Sequence, residues 1–315
     1  MTALPARRLL GLGVALALAL APVSAAVAAV TPAPDTYPND GTRVMFVGDS
    51  ITGSPGCWRP QVWADLTNAA HNVNMVGIRT ANECGDFTND AGDPWDPDNT
   101  GIGGITTTRM WIKLERDSVL EATDPDVIVM LLGTNDLFGG ATSATILTQY
   151  SALLTLFRDY DPSISVVVGT PPPMSEACGC AQAQTELAAA LPSWAKAAST
   201  AASPVTVADL STGFVPATDT GDGIHPNDAG NAKLATAWTP VISAALDAKV
   251  IAAQSTPEPD VTATASQPSP SPSSSSAEDA PAPTTRSWVV LALVGLVAVA
   301  VTIVMTRANK RYTQP

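Results

Sequence analysis

Short apolar runs that alternate with segments of helical periodicity most restrict what this chain can fold into. The runs, each predicted to be a strand, span residues 44–47, 73–78, 127–132, 164–169 and 205–210. Helices are predicted over residues 58–71, 146–160, 181–198 and 227–248, with a further helix running from Met110 through Leu114 to Val119 and Leu120. Uninterrupted apolar strands are typical of parallel sheets covered on both faces. The sequence therefore predicts an α/β fold in three layers, with a doubly wound parallel sheet.

Both ends of the chain have the composition of export and anchoring signals. Arg7 and Arg8 precede the apolar run 9–21, and Ala26-Val27-Ala28 follows it, which predicts a secretory signal peptide over residues 1–28. Residues 288–306 form a second run of 19 residues without a charge. As a helix this run would be about 28 Å long, which is enough to cross a bilayer once.

Basic residues fix the expected orientation of that second run. Arg307, Lys310 and Arg311 follow it directly, so the positive-inside rule places a short tail, residues 307–315, in the cytoplasm. Everything before the run would then lie outside the cell. We expect a single-pass protein of the cell membrane whose folded domain is extracellular.

A low-complexity segment, residues 254–287, separates the anchor from the rest of the chain. It is rich in Pro, Ser, Thr and Ala and has few large apolar residues, so it cannot bury enough surface to fold. We interpret it as a disordered tether whose hydroxyl groups could carry glycans. One folded domain over residues 36–253 remains. The net charge of −13 argues against a nucleic-acid partner and against binding of anionic lipid through a basic face; we expect a monomer.

Four cysteines in an exported chain predict two disulfides, for which three connectivities are possible. We favour Cys57 with Cys84 and Cys178 with Cys180, where Gly179 gives the short ring its backbone freedom. Structural zinc is the alternative, but Cys-x-Cys spacing fits a zinc finger poorly and no histidine lies near, so we predict no metal there.

An acidic loop is predicted between the second strand and the next helix, at residues 80–104. Within it, residues 86–98 include Asp86, Asp90, Asp93, Asp96 and Asp98. Several carboxylates could hold calcium, although their spacing is not that of an EF-hand. A solvated acidic loop is the favoured interpretation, and a calcium site stays open as the alternative.

Ser50 is the candidate nucleophile. It follows the first apolar run in the turn Gly48-Asp49-Ser50, and the carboxyl ends of parallel strands are where open α/β sheets bind ligands. A serine hydroxyl is a weak nucleophile until a base removes its proton and donors stabilise the oxyanion that it creates. The rest of the chain must supply these groups.

The chain has two histidines from which to choose a base. His71 closes the first predicted helix, where a helix cap is its expected role. His225 lies three residues after Asp222, in a loop rich in Gly, Pro and Asn ahead of the last helix. Asp222 could orient the imidazole of His225 while the other ring nitrogen takes the proton of Ser50.

Oxyanion donors are expected from three places. Gly103-Gly104 precedes a helix, where the backbone can approach a ligand with free N–H groups. Asn135 follows the strand at residues 127–132, and its amide can donate to developing negative charge. We predict an oxyanion hole formed by the N–H groups of Ser50 and Gly104 and the side chain of Asn135, with no cofactor.

The order of these motifs resembles the four blocks of the GDSL/SGNH hydrolase superfamily. The blocks are Gly48-Asp49-Ser50, Gly103-Gly104, Gly133-Thr134-Asn135-Asp136 and Asp222-Gly223-Ile224-His225-Pro226-Asn227. Longer stretches at residues 48–59, 190–195 and 219–227 look like secreted actinobacterial enzymes of carbohydrate esterase family 3, the branch similar to acetylxylan esterases. The resemblance covers residues 42–246. It implies the flavodoxin-like α/β/α fold of SGNH hydrolases and the site roles given above.

The resemblance implies a serine esterase that removes acetyl groups from a carbohydrate through an acyl-enzyme. A lipase or lysophospholipase of the same superfamily is the first alternative, and a carbohydrate-binding surface module without catalysis is the second. Phe87 and Trp95 are the only aromatic residues of the loop at 80–104, so little apolar surface is expected there for a long acyl chain. The sequence leaves the natural polymer open.

Overall fold

The computed structural model describes residues 39–80 and 83–255. The predicted signal peptide at 1–28, the membrane helix at 288–306 and the cytoplasmic tail at 307–315 lie outside the described residues. So does nearly all of the predicted tether, from residue 256 onward. The structure therefore concerns the domain predicted over residues 36–253.

A parallel sheet forms the centre of this domain. Its strands are β1 Thr42–Gly48, β2 Val73–Val76, β3 Thr100–Gly101, β4 Val127–Leu131, β5 Ser165–Gly169 and β6 Val205–Ala208. The order across the sheet is β2-β1-β4-β5-β6, and every pairing is parallel. The two-residue β3 pairs with the carboxyl end of β1, beyond the point where β2 stops. Without β3 this is the flavodoxin-like order 2-1-3-4-5, so the predicted fold class is confirmed.

Helices cover both faces of the sheet. They are α1 Ser50–Gly53, α2 Arg59–Asn68, α3 Thr107–Arg116, α4 Val119–Thr123, α5 Thr134–Phe138, α6 Ser143–Tyr160, α7 Ala181–Ala198, α8 Pro216–Asp219 and α9 Asp228–Ser255. Buried residues of α2 and α9 pack in the core on one face, and those of α3, α4, α6 and α7 pack in the core on the other. The result is the three-layer arrangement that the sequence predicts.

Strand β4 shows why its sequence is apolar without interruption. Val127, Val129 and Leu131 belong to the core beneath α2 and α9, whereas Ile128 and Met130 belong to the opposite core. Successive side chains of a strand point to opposite faces of the sheet, so a strand covered on both faces needs apolar residues at every position.

The last helix is longer than the sequence predicts, extending to Ser255 instead of residue 248. Its segment Asp228–Ala252 has the length and composition of a membrane span. However, Leu234, Trp238 and Ile242 are buried against the sheet. Within the described residues, this helix is a core element of the domain.

The helix expected through Met110 and Leu120 is interrupted. It divides into α3 and α4 because Ser118 adopts a left-handed conformation with φ of 48°. The Asp117 carboxylate accepts hydrogen bonds from Lys113 and Arg116 at this point, and the bend turns Val119 and Leu120 into the core. The single-helix prediction was wrong because an apolar pattern continues across such a bend.

The acidic loop differs most from its prediction, because part of it is buried instead of solvated. Asp96 and Asp98 are 3 % and 1 % exposed, and Asp96 accepts the N–H of Met75 at 2.9 Å. Arg59, itself buried, donates to the carbonyl of Pro97 at 3.0 Å and lies over the ring of Trp95. Among the residues described, no group of three or more His, Cys, Asp or Glu side chains is placed to hold a metal ion.

Two disulfides are present, with the connectivity that the sequence favours. Cys57 is joined to Cys84, and Cys178 is joined to Cys180. The first ties the start of α2 to the acidic loop, and the second closes a three-residue ring ahead of α7. Gly179 in that ring has φ of 65°, a value that glycine adopts without strain.

Candidate active site

The candidate site lies where the strand order changes direction, between β1 and β4. These strands are neighbours in the sheet; β1 ends at Gly48, just before Ser50, and β4 ends at Leu131, shortly before Asn135. Crevices at such switch points, outside the carboxyl ends of the strands, are the usual ligand sites of open α/β sheets. The topology alone thus brings two predicted site residues together.

A tight turn presents the Ser50 hydroxyl at this edge. Asp49 caps the short helix α1 by accepting the Ile51 N–H at 3.0 Å, which leaves Ser50 at the first helical position and partly exposed. Gly48 makes the turn possible, because a Cβ atom there would lie 2.6 Å from the carbonyl oxygen of Leu131. The serine is therefore held by backbone geometry.

A chain of two hydrogen bonds connects Ser50, His225 and Asp222. His225 Nε2 lies 2.9 Å from Ser50 Oγ, and His225 Nδ1 lies 2.7 Å from Asp222 Oδ2. The other oxygen of Asp222 accepts the backbone N–H groups of Ile224 and His225 at 3.0 and 2.8 Å. This is the arrangement in which a carboxylate orients an imidazole that removes a proton from a hydroxyl.

The hydrogen bond from His225 is the largest cause that lowers the pKa of Asp222, to about 2, and the two backbone N–H groups lower it further. Asp222 is half-exposed. Its carboxylate is charged throughout the neutral pH range, as the orienting role requires.

The loop that carries His225 is fixed to the start of α9. The buried Asp219 carboxylate accepts Lys233 Nζ at 2.6 Å and the Val215 N–H at 2.6 Å. The Asn227 N–H donates to the Asp219 carbonyl at 2.9 Å, and its side-chain amide donates to Thr218. Asp219 was not singled out from the sequence, because one more Asp in a polar loop carries no pattern.

The predicted oxyanion donors differ in availability. Among the described residues, nothing accepts a hydrogen bond from the N–H groups of Ser50 and Gly104. Gly104 has φ of 72°, so its backbone conformation favours glycine. Asn135 Nδ2 already donates to the Ile105 carbonyl at 3.0 Å and to Asp49 Oδ2 at 3.4 Å. The Asn135 amide is therefore already engaged within the protein, unlike the two backbone N–H groups.

A buried carboxyl group, that of Asp49, lies beneath the site. Asp49 was given no role of its own in the sequence analysis. It is fully buried, and burial raises its pKa to about 6 against hydrogen bonds from Ile51 and Thr134 that lower it. The available signal was its position directly after a buried strand, where the carboxyl ends of β1 and β4 meet.

His71 lies outside this constellation and, as predicted, takes part in the C-terminal cap of α2, which ends at Asn68: after the left-handed Ala70, the His71 N–H donates to the Leu66 carbonyl at 3.0 Å. Its Nε2 atom is 2.6 Å from Ser243 Oγ, and its Nδ1 atom is 4.0 Å from Asp247 Oδ1. His71 therefore links the segment after α2 to α9. Of the two histidines, His225 is the one in contact with Ser50.

Comparison with known proteins agrees with this geometry. The family model described as "GDSL-like Lipase/Acylhydrolase family" matches residues 46–233. A solved structure of an acetyl esterase mutant with acetate ion is 29% identical with a TM-score of 0.57; the match covers 65% of this chain and 98% of that one. A carbohydrate esterase family 3 structure from Talaromyces cellulolyticus gives the same identity, score and coverage.

A third structure, the family 3 carbohydrate esterase of Clostridium thermocellum, is 25% identical with a TM-score of 0.54 and again covers 65% of this chain and 98% of that one. A comparison with curated proteins found no match. The family match spans more than half of the chain, over a region that includes the end of β1, all of β4 and the His225 loop. The chain therefore belongs to the GDSL-like lipase/acylhydrolase family and is a serine ester hydrolase.

Proposed function

We propose that this protein is an extracellular, membrane-anchored esterase that removes short acyl groups, chiefly acetyl, from a carbohydrate. The observation that carries the proposal is the hydrogen-bonded chain from Asp222 through His225 to Ser50. In the proposed reaction Ser50 Oγ attacks the acyl carbon while His225 Nε2 takes the serine proton.

The rest of the reaction follows from the same groups. The tetrahedral oxyanion accepts the N–H groups of Ser50 and Gly104, with the Asn135 amide as the third donor. Its collapse breaks the bond to the sugar oxygen, which leaves with the proton from His225, and an acyl-Ser50 ester remains. His225 then deprotonates a water molecule, the water attacks the ester, and acetate leaves as Ser50 regains its proton.

The preference for short acyl groups is supported by the surroundings of Ser50. A Cβ atom on Gly103 would lie 4.0 Å from Ser50 Cβ, so this glycine lies next to the serine. Trp95, one of the two aromatic residues in the acidic loop, is buried in the core and offers no surface to a long chain. Two of the similar structures are described as an acetyl esterase and a carbohydrate esterase, which supports acetyl and carbohydrate for this chain.

Turnover of p-nitrophenyl esters of increasing chain length tests the acyl preference. We expect kcat/KM to fall beyond about four carbons, because an enzyme for short acyl groups gains nothing from added methylenes, whereas a lipase groove would gain about 0.8 kcal/mol from each. A rise of tenfold or more from acetate to octanoate would favour a lipase instead. Absence of turnover on every ester would favour a binding module. Acetate release from a panel of acetylated polysaccharides then identifies the polymer.

The proposed anchor and tether rest on the sequence of residues 254–315 and can be tested by cell fractionation. The full chain is expected in the membrane fraction with its esterase activity accessible from outside intact cells. A protein ending at Ala253 is expected in the medium, soluble and active, because it lacks residues 288–306. Retention of that shorter protein in the membrane would contradict the proposed topology.

A further inference from the structure

A cavity beside Gly103 and Gly104 has no role in the proposed reaction. Its volume is about 360 Å³. It is lined by Ile102, Gly103, Gly104 and Ile105 from the loop and by Arg109, Ile112, Lys113 and Arg116 from α3. The cavity therefore begins at the backbone that flanks Ser50 and extends along one face of a helix.

The floor of this cavity includes apolar surface that the fold leaves uncovered. Ile112 is 43% exposed, one of the few large apolar side chains in the described part of the chain to be so open. Ile102 is partly buried beside it. The C–H face of a sugar ring could cover such a surface while its hydroxyl groups stay in water.

Three basic side chains rim the cavity in a chain whose net charge is −13. Two of them are already paired, since Lys113 Nζ lies 2.5 Å from Asp117 Oδ2 and Arg116 Nε lies 2.7 Å from Asp117 Oδ1. Among the described residues, Arg109 has no hydrogen-bond or ion-pair partner for its guanidinium. One unpaired cation thus remains for a ligand.

We propose that this cavity is a subsite for an acidic sugar of the substrate polymer, and that Arg109 binds its carboxylate. The planar guanidinium matches the two oxygens of a carboxylate, and the exposed Ile112 fits the sugar ring. The subsite would place an acetylated residue at Ser50 when its acidic neighbour is bound. This inference rests on the proposed function, because it assumes that the polymer is a carbohydrate.

Matched polymers test the subsite. A glucuronic-acid-containing xylan is divided in two, one half has its carboxyl groups reduced to alcohols, and both halves are acetylated to the same content. The purified full-length protein is expected to show a kcat/KM about three- to fivefold higher on the acidic polymer, the range expected for one partly exposed ion pair. Salt of about 0.5 M should remove most of this preference.

Single substitutions test whether the preference for the acidic polymer depends on Arg109. In Arg109→Gln the ratio of kcat/KM on the acidic polymer to that on the reduced polymer should fall to about one, and in Arg109→Lys it should be partly retained. Lys196→Gln, on the exposed part of α7, removes the same charge outside the cavity and should leave the ratio as in the wild type. Thermal unfolding of each variant shows that it is folded.

The possible outcomes distinguish failure of the subsite proposal from failure of the proposed function. A wild-type ratio of one, or a preference that persists in Arg109→Gln, overturns the subsite while acetate release from both polymers leaves the proposed function standing. An equal gain on a polymer carrying phosphodiesters in place of carboxylates overturns the assignment to an acidic sugar. Hydrolysis of p-nitrophenyl acetate without acetate release from either polymer or from any member of the polysaccharide panel overturns the carbohydrate substrate itself.

Discussion

The Nε2 atom of His225 lies 2.9 Å from the Oγ atom of Ser50, although 175 residues separate the two in the chain. Ser50 is fixed by the turn after β1, and His225 is fixed by the loop ahead of α9. Two parts of the fold that are far apart in sequence therefore meet at this hydrogen bond.

Replacing each histidine in turn tests which one acts as the base. His225→Ala is expected to lower kcat by several orders of magnitude, since members of a triad act as a unit. His71→Ala should change kcat less than about tenfold, because His71 contacts Ser243 on α9 and not Ser50. Steady-state hydrolysis of p-nitrophenyl acetate by both variants gives the comparison. Near-normal turnover by His225→Ala would show that the base is another group.

Asp222→Asn tests the orienting carboxylate. The amide keeps the size of the side chain but loses the charge that stabilises protonated His225, so kcat should fall by about 10²–10⁴ with little change in KM. The loss should persist at every pH from 5 to 9, because the pKa of Asp222 is lowered to about 2 and the native carboxylate stays ionised over this range. An activity loss that disappears at high pH would point to a different role.

Asp49→Asn tests the buried carboxyl through stability. Burial raises the pKa of Asp49 from 3.8 to about 6, so between these values the folded protein binds more protons than the unfolded chain. Its contribution to the free energy of unfolding is therefore present at low pH and is lost as the pH rises through about 6, by at most about 3 kcal/mol.

Urea unfolding of both proteins at pH 4.5 and pH 7.5 isolates this contribution. The free energy of unfolding of the wild type, relative to that of Asp49→Asn, should be higher at pH 4.5 than at pH 7.5. Equal differences at the two pH values would mean that the pKa of Asp49 is not raised.

The two disulfides should contribute unequally to stability. Cys57 and Cys84 are 27 residues apart, whereas Cys178 and Cys180 are two residues apart, and the entropy that a cross-link removes from the unfolded chain grows with the loop it closes. Replacing the first pair with serine should cost about 2–4 kcal/mol of unfolding free energy, and replacing the second should cost clearly less. Equal shifts in Tm for the two double variants would contradict this ranking.

Much of the fold could be predicted because the decisive signals are local. An apolar run such as β4 indicates a strand covered on both faces. The turn at Gly48-Asp49-Ser50 marks the carboxyl end of β1, the strand next to β4. The burial of Asp96 could not be read in this way, because its partner Met75 lies on β2 and is brought close only by the tertiary fold. The left-handed Ser118 was missed since the apolar pattern continues on both sides of it.

Part of the candidate site could likewise be predicted from local motifs, and part could not. Ser50, Asp222 and His225 stand in motifs of the sequence, and the structure brings them into hydrogen-bond contact. Arg109 was missed, although Arg109, Lys113 and Arg116 recur at helical spacing just after the glycine pair in an acidic chain. That pattern could have been noticed, but only the structure shows that Asp117 pairs with two of the three.

Covalent trapping of Ser50 tests the central claim most directly. The full-length protein is incubated with an organophosphate that phosphorylates activated serines, and the modified peptide is located by mass spectrometry while p-nitrophenyl acetate hydrolysis is followed in parallel. We predict one phosphorylated serine per chain, at Ser50, with loss of turnover in step with labelling, and neither labelling nor turnover in Ser50→Ala. Labelling at another residue, or a Ser50→Ala protein that still hydrolyses the ester at the wild-type rate, would contradict the account.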